Sequence, residues 1–296
     1  MAEKNTKRVS KGAPKFKKEG PRSSRPTRTS RSTPSDRPAR FSTRTAAPEP
    51  TMGAKDAGRG KTGELLYGAH AIIEMLKAGR RKLLSIYTTK PLPKAWDRIA
   101  PFLPKHVPNI QYVSREILDR MAGTPDHNGI LAWATPFKFS STLFDPKKKP
   151  FILLLDSIQD VRNAGAILRS AYCVGIDGVV MCKAQSAPMT GAVFKASAGL
   201  AEHMDILLVP SMKYAVQELK RAGYNFYMAV LDGKDVTQVE FKSPTCLVIG
   251  NEAAGIAKDV ISMGEAITIP QRSPEISYNA SVAAGILMFY MRQKAG

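Results

Sequence analysis

Residues 245–255 read Thr-Cys-Leu-Val-Ile-Gly-Asn-Glu-Ala-Ala-Gly, the segment most indicative of the chain's architecture. Its first five residues form a mostly apolar run, and a turn bounded by Gly250 and Gly255 follows at once. Such a run is typical of a strand that is buried on both faces of a parallel sheet. In open sheets of this kind, ligands bind beyond the carboxyl ends of the strands. The turn and its single carboxylate, Glu252, are therefore a candidate part of a binding site.

The same apolar pattern recurs on both sides of this stretch. It predicts strands at 151–155, 178–182, 205–209, 225–231, 245–250 and 266–270. Helical patterns lie between most of them, at 164–174, 192–200, 212–222 and 257–263, and a closing helix is predicted at 281–293. This alternation predicts an α/β domain over residues 151–296, with a parallel sheet covered by helices.

A second, smaller α/β domain is predicted at residues 63–136. Its strands are expected at 83–89, 110–113 and 130–134, and its helices at 70–78, 91–103 and 117–121. Residues 137–150 are predicted to be a linker. Within it, Pro146 and Pro150 flank three lysines, a composition that favours a solvated hinge.

Charge is concentrated at the beginning of the chain, whose formal net charge is +19. Residues 1–62 contain 17 basic and 5 acidic residues, and no Leu, Ile, Trp or Tyr. A segment with so little apolar surface is predicted to be a disordered basic tail that binds polyanions. Prolines interrupt any amphipathic helix there, so a cytoplasmic location is favoured and a mitochondrial transit peptide is the minor alternative.

Several classes of protein are disfavoured. No apolar run approaches the 18 residues of a transmembrane helix, and no apolar signal core is seen. The four histidines are scattered without metal-ligand spacing, so no metal site is predicted. The three cysteines form no Cys-x-x-Cys pair and are interpreted as small core residues in a reducing compartment: Cys173, Cys182 and Cys246.

Polar residues follow three of the predicted strands. Asn163 and Arg169 follow the first strand, Glu252 follows the fifth, and a polar loop with Ser277 and Asn279 follows the sixth. Each residue alone could serve only as a helix cap, a surface residue or part of a turn. Their joint position at strand ends of one sheet favours a single site. Neither a dinucleotide-binding glycine loop nor a P-loop follows the first strand.

In order and spacing, these segments resemble the SpoU (TrmH-type) family of RNA ribose 2′-O-methyltransferases, in the SPOUT superfamily. The matching segments are Asn163-Ala-Gly-Ala-Ile-Leu-Arg169, Leu247-Val-Ile-Gly-Asn-Glu-Ala-Ala-Gly255 and Ile269-Pro270 with Ser277-Tyr-Asn279-Ala-Ser-Val-Ala-Ala-Gly-Ile286. Residues 63–136 resemble the family's ribosomal-protein-like RNA-binding domain, through Gly68-Ala-His-Ala71 and His127-Asn-Gly-Ile130. This architecture is most similar to that of bacterial enzymes that methylate a guanosine ribose of 23S ribosomal RNA.

The resemblance implies a C-terminal trefoil knot that binds S-adenosyl-L-methionine, lined by Gly250, Ile269 and Tyr278. It implies a catalytic group of Asn163, Arg169, Glu252, Ser277 and Asn279, without metal. It also implies a homodimer through the knot region, in which Arg169 completes the partner's site. Family precedent makes Arg169 a base. Arginine keeps its proton at pH 7, however, which favours positioning of phosphate or stabilisation of an alkoxide.

The sequence departs from the family pattern at Gln271, Ser273 and Tyr278, where Met, Gly and Leu are usual. These departures bear on how the last loop would hold the cofactor. There are three alternatives: the same reaction on transfer RNA, a non-catalytic RNA-binding factor in ribosome assembly, and a Rossmann-type methyltransferase. The missing glycine loop disfavours the Rossmann-type enzyme. The non-catalytic factor is disfavoured because the chain retains Asn163, Arg169, Glu252 and Asn279.

Overall fold

Residues 63–136 fold around a four-stranded mixed sheet in the computed structural model, which describes residues 63–106, 109–273 and 276–295. The predicted tail, 1–62, lies outside these residues. The strands are β1 (Glu64–Tyr67), β2 (Leu83–Thr88), β3 (Ile110–Tyr112) and β4 (Ile130–Ala134), in the order β1-β4-β2-β3. Strand β4 is antiparallel to both of its neighbours, whereas β2 and β3 are parallel. The helices are α1 (Ala69–Ala78), α2 (Ala95–Ile99) and α3 (Arg115–Ala122).

Residues 151–295 fold around a second sheet, of six parallel strands. These are β5 (Phe151–Leu155), β6 (Gly178–Cys182), β7 (Ile206–Val209), β8 (Asn225–Asp235), β9 (Thr245–Ile249) and β10 (Glu265–Thr268), in the order β10-β8-β9-β5-β6-β7. Every pairing in this sheet is parallel. The predicted α/β fold with a parallel sheet is confirmed. The trefoil knot stays a prediction.

Helices cover both faces of the six-stranded sheet. They are α4 (Val161–Val174), α5 (Gly191–Ala196), α6 (Met212–Arg221), α7 (Lys258–Ile261) and α8 (Ala280–Ala295). Alternate residues of β5 point to opposite faces, so Leu153 packs in the core with α4 and α8, and Leu154 in the core with α6. This double burial explains why the strands are almost continuously apolar. None of the helices in the described ranges is long and apolar enough to span a membrane.

Several predicted elements have different bounds in the structure. The helix predicted at 91–103 is reduced to α2 and a 3-10 turn at Ala100–Phe102, because the prolines at 91 and 93 favour extended backbone before it. The helix predicted at 192–200 ends with α5, since Ala198 and Gly199 adopt left-handed backbone. Strand β1 was not predicted. Cys173 is exposed, contrary to the core prediction, whereas the other two cysteines are buried.

The linker predicted at 137–150 stays a prediction, and contacts hold parts of it against the parallel-sheet domain. Phe144 is buried, and the Lys149 ammonium lies 2.7 Å from both the Asp205 carboxylate and the Asp177 carbonyl oxygen. The Tyr224 hydroxyl donates to the Lys149 carbonyl at 2.6 Å. The three consecutive lysines suggested an exposed segment, but contacts with residues distant in the sequence hold the last of them, Lys149, in place. The domain boundaries predicted from the sequence stay predictions.

Buried contacts join the two sheets' domains. Residues of α1 share one apolar core with α5 and the segment that follows it. Across this contact, the fully buried Arg81 lies 2.9 Å from the carboxylate of Glu202, which is also fully buried. Arg81 also donates to Glu64 at 2.9 Å and to the Thr135 carbonyl at 2.6 Å. Packing and paired charges therefore hold the domains in one arrangement.

Candidate active site

The loops that follow β9 and β10 enclose a cavity of 420 Å³ at the carboxyl edge of the parallel sheet. The turn after β9 contributes its backbone and Glu252, and the loop after β10 contributes Ile269, Ser277 and Tyr278. Apolar side chains complete the wall, among them Ile249, Ile256, Ile261, Ile267 and Leu287. The cavity therefore lies where the sheet topology predicts a ligand site.

The turn at 250–255 is closed on itself. The Asn251 amide donates to the Gly255 carbonyl at 3.1 Å, and the Gly255 amide donates back at 2.9 Å. A Cβ at position 250 would lie 2.3 Å from the Gly255 carbonyl carbon and 2.4 Å from the Ile256 nitrogen. No side chain fits there, so the lack of space in the turn requires glycine at position 250.

Two side chains fasten this turn to the end of β5. Asn251 donates to the Ser157 carbonyl at 2.9 Å and accepts from the amides of Ala253 and Ala254. Asp156, which is 6% exposed, accepts from the Ala257 amide at 3.1 Å. Sequence reasoning missed both residues, although Asp156 directly follows a predicted strand. Because β5 and β9 are neighbours in the sheet, their trailing loops can bond directly.

Three predicted side chains form one hydrogen-bonded chain beside the cavity. The Asn163 amide nitrogen donates to Glu252, and the Asn163 amide oxygen accepts from Asn279 at 3.1 Å. The oxygen of Asn279 accepts from the Ser281 amide at 2.9 Å and from the Ser281 hydroxyl at 2.6 Å. Asn279 thus caps α8 and reaches the site at the same time. The chain joins groups that follow β5, β9 and β10.

Asn163 does not cap helix α4, because Asp160 does so; the Asn163 side chain can therefore bond to Glu252 and Asn279. Asp160 accepts from the Arg162 amide at 2.7 Å, so the helix begins at Val161 and Asn163 lies within its first turn. Two residues later, Gly165 allows close approach of α5: a Cβ there would lie 2.4 Å from the Cβ of Ala196. The simple interpretation of Asn163 as a helix cap is therefore wrong.

Arg169 stands apart from the other predicted site residues. It is exposed on α4 and forms no hydrogen bond or ion pair with any residue that the structure describes. The next residue, Ser170, lies against α8, with its hydroxyl 3.8 Å from the position of a Cβ at Gly285. The structure thus brings together seven of the eight predicted residues. Their roles, and that of Arg169, stay predictions.

Two family models match the chain, and together they cover both domains. Residues 150–289 match the SpoU rRNA Methylase family, and residues 65–140 match the RNA 2′-O ribose methyltransferase substrate-binding domain. A Bacillus subtilis protein named as a TrmH family tRNA/rRNA methyltransferase (YacO) is 31% identical over 242 residues, which are 78% of this chain and 96% of that protein. A Staphylococcus haemolyticus protein with the same family name is 32% identical over 193 residues, 62% of this chain and 77% of that protein.

Solved structures share the fold. A structure titled RNA 2′-O ribose methyltransferase has a TM-score of 0.69 and 19% identity, over 79% of this chain and 89% of that one. The SpoU methyltransferase AviRb of Streptomyces viridochromogenes, in complex with AdoMet, has a TM-score of 0.65 and 21% identity, over 78% and 90%. The chain belongs to the SpoU (TrmH) family of RNA ribose 2′-O-methyltransferases.

Proposed function

We propose that this chain transfers a methyl group from S-adenosyl-L-methionine to the ribose 2′-hydroxyl of a guanosine in large-subunit ribosomal RNA. The observation that carries the proposal is the hydrogen-bonded chain of Glu252, Asn163 and Asn279 beside the 420 Å³ cavity. The choice of ribosomal RNA and guanosine rests on the resemblance of residues 63–136 and on the family description. Transfer RNA is the alternative substrate that the experiment below tests.

The cavity suits S-adenosyl-L-methionine in size and chemistry. Its volume falls in the range of small-molecule sites, and its apolar wall, with Ile267 and Leu287, fits the flat face of an adenine. The turn at 250–255 presents backbone groups, because Gly250 has no side chain to cover them. Ile269 and Tyr278 line the same cavity, and their contacts would come mainly from the backbone. When bound, the cofactor supplies a methyl group on a sulfonium, which is already electrophilic.

The chain's own residues then have to place one ribose hydroxyl. Asn163 is held at both amide atoms, so it keeps Glu252 and Asn279 at fixed positions. The hydroxyl of Ser277, on the cavity wall, is available to the ribose. Glu252 has a second carboxylate oxygen for a ribose hydroxyl or for the guanidinium of Arg169. Such preorganisation lowers the barrier because little reorientation is needed during the reaction.

The role of Arg169 requires a second copy of the chain. Three large apolar side chains on α8 are exposed: Val282 at 48%, Ile286 at 39% and Phe289 at 59%. Their spacing places them on one face of the helix, opposite its buried residues. Arg169 lies next to Ser170, which contacts α8. A homodimer that covers this face would bring Arg169 to the partner's cavity, where it would position phosphate or stabilise the developing alkoxide.

The remaining parts of the proposal concern RNA affinity and location. Residues 1–62, outside the described residues, would add sequence-independent affinity for RNA through their excess of lysine and arginine. We expect the enzyme to act in the cytoplasm, as the sequence predicts. In the described part of the chain, no group of three or more His, Cys, Asp or Glu side chains is placed to hold a metal ion.

The test is methyl transfer by the purified chain to RNA from cells that lack the protein. Ribosomal RNA and transfer RNA are offered separately with methyl-labelled S-adenosyl-L-methionine, and ribose methylation is mapped by resistance of the phosphodiester to alkali. We expect label at one guanosine ribose of large-subunit RNA, with or without a chelator. Label on transfer RNA alone would favour the alternative, and label on a base would contradict the reaction.

A further inference from the structure

The wall of the 420 Å³ cavity includes a cation to which the proposed function assigns no role. This residue is Lys258, the first residue of α7, and it is exposed. Glu252 is the acid on the same wall, and the other lining residues that the structure describes are uncharged. The described wall therefore offers one positive and one negative side chain to a ligand.

Lys258 has no counter-ion within the described part of the chain. Its ammonium forms no hydrogen bond or ion pair there. The next residue, Asp259, lies 3.1 Å from the Lys213 ammonium of α6, so this carboxylate already has a partner. Glu252 accepts from the Asn163 amide nitrogen. An ammonium on a cavity wall that lacks a protein counter-ion can bind an anionic group of a ligand by charge-assisted hydrogen bonds.

The backbone on either side of Lys258 is held in place. Ile256 is 3% exposed and Val260 is 1% exposed, and both pack in the apolar core that includes residues of α6. Between them, the Ala257 amide donates to the buried Asp156 carboxylate at 3.1 Å. Only the lysine stem has to become ordered when a ligand enters, which limits the entropic cost of the contact.

The charges of S-adenosyl-L-methionine give this lysine a specific counterpart. The cofactor has one anionic group, the carboxylate of its methionine part, and two cationic groups, the ammonium and the sulfonium. A lysine on the cavity wall attracts the carboxylate and repels both cationic groups. Since the other charged side chain on the described wall is an acid, Lys258 favours the orientation in which the carboxylate lies at α7.

We propose that Lys258 binds the carboxylate of S-adenosyl-L-methionine and thereby selects cofactor molecules with an intact amino-acid end. This inference rests on the proposed function for the identity of the ligand in the cavity. An RNA phosphate is the other anion that an exposed lysine could bind, and the test includes it. The carboxylate is favoured because Lys258 belongs to the cavity wall, where an anion without a cationic partner would lose its hydration at a cost.

The test compares two forms of the cofactor that differ only in this carboxylate. S-adenosyl-L-methionine and its decarboxylated form are titrated calorimetrically into the full chain and into Lys258→Gln, which removes the charge and keeps most of the stem. S-adenosyl-L-methionine should bind the variant about fivefold more weakly, as expected at the upper end of the range for exposed ion pairs. The decarboxylated form should bind the variant at least as tightly as the unaltered chain, because the substitution removes only repulsion.

Reversing the charge sharpens the comparison. Lys258→Glu should weaken binding of S-adenosyl-L-methionine further and should bind the decarboxylated form more tightly than the unaltered chain does. Opposite changes for two ligands in one variant cannot come from misfolding. The matched control is Lys242→Gln, because Lys242 is an exposed lysine before β9, at the opposite end of that strand from the cavity. This control should leave both dissociation constants within about twofold of the original.

Equal changes for the two cofactor forms in Lys258→Gln would overturn the inference, as would an equal loss of S-adenosyl-L-methionine affinity in Lys242→Gln. If Lys258→Gln leaves both cofactor affinities unchanged and weakens RNA binding, the lysine binds an RNA phosphate instead. Failure of the unaltered chain to bind S-adenosyl-L-methionine would refute the cofactor and the inference together, whereas cofactor binding independent of Lys258 would refute the inference alone. Methyl transfer is measured separately, so its absence would refute the proposed reaction while the titrations still decide the role of Lys258.

Discussion

Asn163 is the residue on which the candidate site depends most, because both of its amide atoms are engaged. We predict that Asn163→Ala lowers kcat by about 10- to 100-fold, since hydrogen bonds to charged groups contribute about 1.5 to 3 kcal/mol. Binding of S-adenosyl-L-methionine should change little, because Asn163 does not line the cavity. Single-turnover methyl transfer and calorimetric titration measure the two quantities.

The matched control is Arg162→Ala, on the same turn of α4. Arg162 is exposed, and its side chain forms no hydrogen bond or ion pair with the residues that the structure describes, so kcat should stay within about twofold of the original. If both variants lose activity equally, the effect comes from the helix and not from the amide. A kcat unchanged by Asn163→Ala would contradict the role of the hydrogen-bonded chain.

For single residues, the sequence predicted the side chains that contact one another in the site but not the side chains that hold them in position. Asn163, Glu252 and Asn279 were found because they follow strands of one predicted sheet and because their order and spacing resemble the family's motifs. Asp156 and Asn251 were missed because their bonds depend on which strand ends are neighbours. Strand order is not encoded in a local pattern, so only the folded sheet reveals this pair of contacts.

Among the structural elements, the turn at 250–255 allows the effects of steric crowding and of backbone strain to be tested at two different glycines. Gly250→Ala places a methyl group 2.3 Å from the Gly255 carbonyl carbon, so the turn must shift. We predict at least about tenfold weaker binding of S-adenosyl-L-methionine, because the turn forms part of the cavity wall. Calorimetric titration gives the dissociation constant, and the melting temperature shows whether the fold persists.

Gly255→Ala is the control within the same turn. Gly255 has a φ of +68°, but a Cβ there would have open space around it. This variant should lose about 1 to 2 kcal/mol of stability through strain, with a smaller effect on cofactor affinity. An equal loss of affinity in both variants would mean that strain, and not the close approach at position 250, controls the site.

Element boundaries show where local reasoning fails. The strands of the parallel sheet were predicted closely, because double burial requires continuous apolar runs. Helix α5 was predicted too long, since Ala198 gives no sign in the sequence that its backbone turns left-handed. Strand β1 was missed because it is only four residues long, and its pairing partner β4 lies more than sixty residues away.

At the scale of the whole molecule, Arg81 joins the two domains. Arg81→Met leaves Glu202 buried without its cation, and we predict a loss of about 3 to 5 kcal/mol in the free energy of unfolding. Arg80→Met, at the next residue, removes an ion pair with Asp205 whose members are about 40% exposed, and should cost less than about 1 kcal/mol. Chemical denaturation of the two variants measures both, and equal losses would contradict the assignment.

Glu202 also predicts how stability depends on pH. Burial raises the pKa of Glu202 to about 7, although Arg81 opposes the change. The folded chain therefore keeps a proton that the unfolded chain releases, and this group's contribution to stability falls as pH rises from about 4.5 to about 7. In Arg81→Met the raised pKa should rise further, so the loss of stability should be smaller at pH 5 than at pH 8. The opposite trend would contradict this origin.

A homodimer that shares Arg169 across its interface can be tested by mixing two inactive variants. In a dimer of one Arg169→Ala and one Asn279→Ala subunit, one cavity would have its own Asn279 and the partner's intact arginine. The other cavity would lack both. Random pairing makes half of the dimers mixed, so up to about a quarter of the sites should recover.

The side chain at 169 and the face of α8 supply the controls for this experiment. Arg169→Lys should not restore activity, because an ammonium lacks the planar fork that grips phosphate or carboxylate. Phe289→Glu, on the exposed apolar face of α8, should give a monomer in sedimentation and abolish complementation, because it places a charge in the proposed interface. If subunits exchange freely and mixing restores no activity, each site is complete within one chain. Arg169, which lies apart from the other site residues, would then have to reach them through a movement of α4 within its own chain.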